Sequence, residues 1–238
     1  MADWACATIS ASACLPFVAA HSSLASTSAP APSLTPGEFP AVCEPSLETS
    51  PGSLASVSRV EPRRETSLEV LAKLPPLNPD GSHTAGNSPG VNDGAGAVVV
   101  ASDEWASAHD AKPLARIIAH AQVADEYPYL ARTPAAASKK ALEKAGLSAD
   151  DIDLWEINEA FASVTLNSIR VLGIDEEKVN VNGGAVAIGH PIGASGARIL
   201  GALVQELHRR GGGKGVVAIC SGGGQGDAVV LEVFGNGS

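Results

Sequence analysis

The stretch at residues 180–203 constrains this chain more than any other. It reads Asn180-Val181-Asn182-Gly183-Gly184-Ala185-Val186-Ala187-Ile188-Gly189-His190-Pro191, then Ile192-Gly193-Ala194-Ser195-Gly196-Ala197-Arg198-Ile199-Leu200-Gly201-Ala202-Leu203. Small residues at this density let backbones approach closely, and glycines open angles closed to other residues. Residues 192–207 are predicted to form a helix, because Ile192, Ile199, Leu203 and Leu207 recur at helical spacing. Pro191 suits the first turn, where a missing N–H costs nothing. His190 would then sit at the positive end of the helix dipole, where developing negative charge is stabilised. A lone histidine is as readily structural as working. A helix faced with Gly193, Ala194, Gly196, Ala197, Gly201 and Ala202 must, however, pack against protein on several sides, which holds His190 in a close-packed place.

With 238 residues the chain can bury a sizeable core as one large domain or two small ones. Aromatic residues are only 4% of it, so alanine and glycine must fill the layers. A net charge of −10 argues against nucleic acid and anionic membrane surfaces as partners. It leaves room for an anionic small molecule held by helix ends. Cys6, Cys14, Cys43 and Cys220 show neither metal-ligand spacing nor a disulfide framework, which points to a reducing, cytoplasmic setting. No apolar run reaches the length of a membrane span, and no basic residue precedes Arg59, as a presequence would require.

Residues 1–60 are crowded with Ser, Ala, Pro and Thr and hold no sustained periodicity. They are expected to be a disordered leader, or sequence foreign to the rest, as a frame-shifted or misjoined reading would produce. From residue 61 onward, elements alternate. A short helix is predicted at 66–74, a strand at 95–101, a helix at 104–109 capped by Ser102-Asp103, and a strand within 113–123. A helix follows from Thr133-Pro134 to Lys144, closed by Gly146, then a strand at 152–155 and a helix at 158–172 ending at Gly173. Strands at 215–219 and 227–234 complete an α/β pattern whose last pair is expected to be antiparallel.

Two further motifs join the His-Pro pair. Asn158-Glu159-Ala160-Phe161 follows a strand, where Asn158 is either an ordinary helix cap or a hydrogen-bond donor to a ligand. Cys220-Ser221-Gly222-Gly223-Gly224 ends another strand. A buried cysteine is usually a small hydrophobe. Here it meets consecutive glycines whose N–H groups are free for an oxyanion. Cysteine, histidine, asparagine and exposed N–H groups are the parts needed for acyl transfer through a thioester. A nucleotide site is disfavoured, because no Gly-Lys-Ser/Thr follows the glycines and their spacing is not a dinucleotide fingerprint.

These motifs resemble the C-terminal signatures of the thiolases, and Thr84-Ala85-Gly86-Asn87 through Asn92-Asp93-Gly94-Ala95 resembles the stretch before them. The resemblance runs from about residue 61 to the end. It implies the C-terminal half of a layered α/β fold, a mixed sheet covered by helices, with 61–112 the end of the N-terminal and loop region and 113–238 the C-terminal domain. It implies an acyltransferase that condenses acyl-CoA molecules or cleaves a 3-ketoacyl-CoA, with coenzyme A thioesters as substrates and no tightly bound cofactor. By the same resemblance His190 activates a nucleophilic cysteine, Asn158 holds the water of an oxyanion hole, Cys220 moves the substrate proton, and the Gly222 N–H stabilises a second oxyanion. The family's nucleophile lies in a motif that none of Cys6, Cys14 and Cys43 carries, and Pro89 stands where many members have serine. The chain alone is therefore expected to be impaired as an enzyme. It would work as a homo-oligomer or with a thiolase partner chain, or serve as a non-catalytic CoA-binding or assembly subunit.

Overall fold

The computed structural model describes residues 7–10, 66–90, 92–126 and 129–235. Its centre is a six-stranded mixed sheet. In chain order the elements are β1 (Ala7–Ser10), α1 (Leu68–Leu71), β2 (Val100–Ser102), α2 (Asp103–Ala108), β3 (Pro113–Ala124), α3 (Thr133–Ala145) and β4 (Leu154–Ile157). There follow α4 (Ala162–Leu172), α5 (Ala185–Ile188), α6 (Ser195–Arg209), β5 (Gly213–Ser221) and β6 (Gln225–Val233). Across the sheet the strands run β2-β1-β3-β6-β5-β4. Only β4 and β5 are parallel, with Leu154 opposite Gly215 and Ile157 opposite Ala218. The β5–β6 pair is the antiparallel hairpin the sequence predicts, in register from Gly213–Val233 to Ser221–Gln225.

Alternation along β5 sorts its side chains onto opposite faces. Val216 and Ala218 join Ala137, Ala141, Trp155, Ile157 and Val230 on the side covered by α3. Val217 joins Leu154, Ile199, Leu203, Leu207 and Leu231 on the side covered by α6. A strand covered on both faces has no polar side, and every residue of β4 is buried accordingly. The helix α3 starts at Thr133-Pro134 as expected, and the Thr133 hydroxyl donates to the Gln225 carbonyl (2.7 Å), which pins the helix to β6. Gly146 and Gly173 close α3 and α4, each at φ 68°.

Several boundaries differ from the sequence reading. The helix predicted from 192 begins at Ser195, because the Pro191 carbonyl takes the N–H groups of both Ala194 (2.8 Å) and Ser195 (2.9 Å) and makes a separate turn. The helix predicted from 158 begins at Ala162: the Asn158 N–H still bonds the Ala218 carbonyl of β5 (2.9 Å), and the Ala162 N–H bonds the Asn87 carbonyl. The strand predicted at 95–101 contracts to Val100–Ser102, because residues 94–96 press on the start of α6. A Cβ on Gly94 would lie 2.6 Å from Pro191. The helix predicted at 66–74 is the single turn α1, capped by the Ser67 hydroxyl.

Most of the leader read at 1–60 lies outside the described residues. Ala7–Ser10, however, is a strand that pairs antiparallel with both β2 and β3. Among the described residues no helix is long and apolar enough to cross a membrane.

Candidate active site

Because β4 and β5 are parallel, their carboxyl ends lie on one edge of the sheet, the place where open α/β sheets gather ligand-binding groups. Asn158 follows β4 directly and is 1% exposed. Cys220 and Gly222 stand at the end of β5 and in the turn beyond it. The 191–194 turn and α6 bring in His190 from the adjoining loop.

Asn158 and His190 meet: Asn158 Nδ2 lies 3.4 Å from His190 Nε2. The other imidazole nitrogen, Nδ1, lies 2.6 Å from Ser195 Oγ, and that hydroxyl donates to the Pro191 carbonyl at 3.1 Å. The His190 N–H bonds the Gly90 carbonyl at 3.2 Å, tying the 88–94 loop to the site. Gly189, at φ 97°, is required just before the histidine. A Cβ there would meet the Asn92 side chain at 2.5 Å, in a conformation that L residues avoid. Burial, and then the nearby Arg198 charge, lower the His190 pKa, which favours a neutral imidazole able to accept a proton.

The residues on either side of Asn158 are held by Asn180, whose amide oxygen accepts the Ile157 N–H (2.8 Å) and whose amide nitrogen donates to the Ile157 carbonyl (2.9 Å) and to Glu159 Oε1 (3.0 Å). The Asn180 N–H also bonds the Trp155 carbonyl (2.9 Å). The second Glu159 oxygen accepts the Val186 N–H (2.8 Å), so one carboxylate links the loop after β4 to the start of α5.

Cys220 is 9% exposed, and burial raises its thiol pKa, which keeps it protonated as an acid must be. Gly222 is exposed, with open space where a side chain would stand. The structure thus joins Asn158 and His190 by contact. It puts Cys220 and Gly222 on the same sheet edge, with no hydrogen bond to that pair among the described residues.

Sequence reasoning gave no role to Ser195, Asn180, Glu159 or Glu156. Ser195 carried one signal: it is the only hydroxyl among the small residues that open the helix after His190. Glu156 carried none. It is buried on β4, and its pKa is pushed up to about 7, first by burial and then by Glu159 and Glu206, against the pull of Arg198. Among the described residues no cluster of His, Cys, Asp and Glu could hold a metal ion.

The chain is also similar to known proteins. The family model for the thiolase C-terminal domain matches residues 111–233, and that for the thiolase N-terminal domain matches residues 47–104. The latter begins inside the stretch read as a foreign leader. Human mitochondrial 3-ketoacyl-CoA thiolase is 50% identical over 171 residues, which are 71% of this chain and 43% of that one. The acetyl-CoA acetyltransferase of Syntrophomonas wolfei is 49% identical over 174 residues, 72% of this chain and 44% of that one. Among solved structures, the human mitochondrial 3-ketoacyl-CoA thiolase in complex with CoA superposes with a TM-score of 0.70 at 50% identity, over 72% of this chain and 44% of that one. The shared fold and these long matches define its class. The chain belongs to the thiolase family. It spans about half the length of the curated relatives it matches.

Proposed function

We propose that this chain supplies the C-terminal catalytic half of a thiolase-type acyltransferase acting on coenzyme A thioesters. The observation that carries the reading is the Ser195–His190–Asn158 array, at the sheet edge where Cys220 and Gly222 end β5. In the thiolytic direction, His190 Nε2 takes the proton of a nucleophilic cysteine. The resulting thiolate attacks the 3-keto carbon. The C2–C3 bond then breaks, the acyl group stays on the cysteine, and the departing acetyl-CoA carbanion takes the proton of Cys220. The Cys220 thiolate next accepts the thiol proton of free CoA, which attacks the acyl-enzyme and carries the acyl group away, while the departing cysteine thiolate regains its proton from His190. Donors preset where oxyanions form lower both barriers: Asn158 with His190 at one, and the Gly222 N–H at the other.

The nucleophile is not among Cys6, Cys14 and Cys43 in this reading, since none has the sequence surroundings that activate a thiolate. The chain by itself is therefore impaired, and turnover needs a thiolase partner chain or a fuller copy of the fold. A reducing, cytoplasmic setting belongs to the same reading, because Cys220 serves as a free thiol. A second reading, a non-catalytic CoA-binding or assembly subunit, is favoured by one feature: Ile188 (53% exposed), Ile192 (73%) and Leu166 (61%) are open apolar side chains among the described residues.

Thiolysis of acetoacetyl-CoA by the purified chain, alone and mixed with a family protein whose own Cys220 counterpart is replaced by alanine, tests the proposal. Turnover is expected only in the mixture, and it should vanish when this chain carries Cys220→Ala. CoA binding without turnover in any mixture would replace the acyltransferase reading by the second one. Turnover by the chain alone, lost in Cys220→Ala, would overturn the missing-nucleophile part.

A further inference from the structure

We infer that Ser195 is a positioning residue that fixes the tautomer of His190, holding the ring proton on Nδ1 and leaving Nε2 as the basic nitrogen. A serine hydroxyl has a single proton to give. Ser195 Oγ has two polar neighbours, the Pro191 carbonyl at 3.1 Å and His190 Nδ1 at 2.6 Å. The carbonyl oxygen can only accept, so the hydroxyl proton belongs to that contact. Turned toward the ring instead, the hydroxyl would press its lone pairs against the Pro191 oxygen in a place where Ser195 is 0% exposed and no solvent relieves them. Oγ must then accept from the ring, and Nδ1 carries the proton.

The far side of the ring makes no competing demand: Asn158 Nδ2 lies 3.4 Å from Nε2 and the Asn158 amide oxygen has no hydrogen-bond partner, so either end of the amide can meet that nitrogen. The Ser195 contact thus selects one neutral tautomer, and the lowered His190 pKa keeps the ring neutral so that the choice matters. Pro191 supplies the anchor: its carbonyl already takes the N–H groups of Ala194 and Ser195, which fixes the oxygen that orients the hydroxyl. When Nε2 takes a proton, Nδ1–H stays bonded to Oγ and the ring does not turn. That His190 uses Nε2 as a base rests on the proposed function. The tautomer does not.

The test is a long-range proton–nitrogen NMR correlation of the labelled full chain at a pH above the His190 titration, with His190→Gln to assign the ring. A pyrrole-like Nδ1 and a pyridine-like Nε2 are expected. Ser195→Ala should lose that pattern and give the Nε2–H form favoured by solvated imidazole, and Ser195→Thr, which keeps the hydroxyl, should restore it. A pyridine-like Nδ1 in the parent chain overturns the inference, as does an unchanged pattern in a folded Ser195→Ala. Should Ser195→Ala fail to fold, the parent spectrum decides alone. The readout needs no turnover: Nδ1–H in a chain that stays inactive in every thiolase mixture defeats the acyltransferase reading and leaves this inference standing, and Nε2–H in a chain that turns over in the mixture does the reverse.

Discussion

The faces of the central sheet are built differently. On one, α3 lies along β3, β5 and β6 with α4 beside it, and Trp155, Ile152 and Leu142 fill the space between. On the other, α6 is the helix that covers β4 and β5 among the described residues, through Ile199, Leu203 and Leu207. The inward side of α6 is buried, yet its outward side shows Gly196 and Gly201 with open space beyond them, and Ile188 and Ile192 before the helix are exposed. The candidate site sits at the start of this same helix. A single layer of cover and a glycine-faced exterior leave that helix fit for a second packing partner. The fully covered face serves stability instead.

The contrast can be broken from either side. Leu203→Ala, on the inward side of α6, removes a side chain that is 1% exposed and should cost roughly 2–5 kcal/mol in urea unfolding. A loss below about 1 kcal/mol would mean that α6 is not seated as described. The next effect is electrostatic. The folded pKa of Glu156, about 7, exceeds its ordinary 4.5, so the folded state holds this proton more tightly than the unfolded one. Its stabilisation is therefore complete below pH 4.5 and lost as pH rises to about 7, a difference of roughly 3 kcal/mol at most. Glu156→Gln should remove that part of the pH slope, and parallel curves for parent and variant would refute the burial assigned to the carboxyl. The smallest effect is on the outward side. Gly201→Ala meets nothing within 4 Å and should stabilise the isolated chain by up to about 1 kcal/mol. A destabilisation there would show that the outward side of α6 is already covered.

What the sequence made legible follows from what is local. The closure of α3 and α4 at Gly146 and Gly173, the capping of α2 by Ser102, and the β5–β6 hairpin each depend on residues close in the chain, and each was readable. The starts of α4 and α6 were not, because partners far away set them: Ala218 holds Asn158 in the sheet, and Asn87 meets the first N–H of α4. β1 is the strongest case. Its sequence, Ala7-Thr8-Ile9-Ser10, carries no pattern of its own, and it is a strand through pairing with β2 and β3, about 90 residues and more away. The site divides the same way. Asn158, His190 and Cys220 were visible as chemistry, whereas Ser195 acquires meaning only once the Pro191 turn folds it back onto the imidazole.

The amide of Asn180 has a consequence for how such a chain meets others. β4 is the last strand on its side of the sheet, and an outermost strand normally offers a ladder of bare N–H and carbonyl groups to any passing chain. Here one residue occupies the Trp155 carbonyl and both backbone groups of Ile157, impersonating the strand that would otherwise come next. The border of the sheet is thereby occupied by a single residue, through its backbone N–H and its side-chain amide, which opposes lateral zippering at the strand that delivers Asn158.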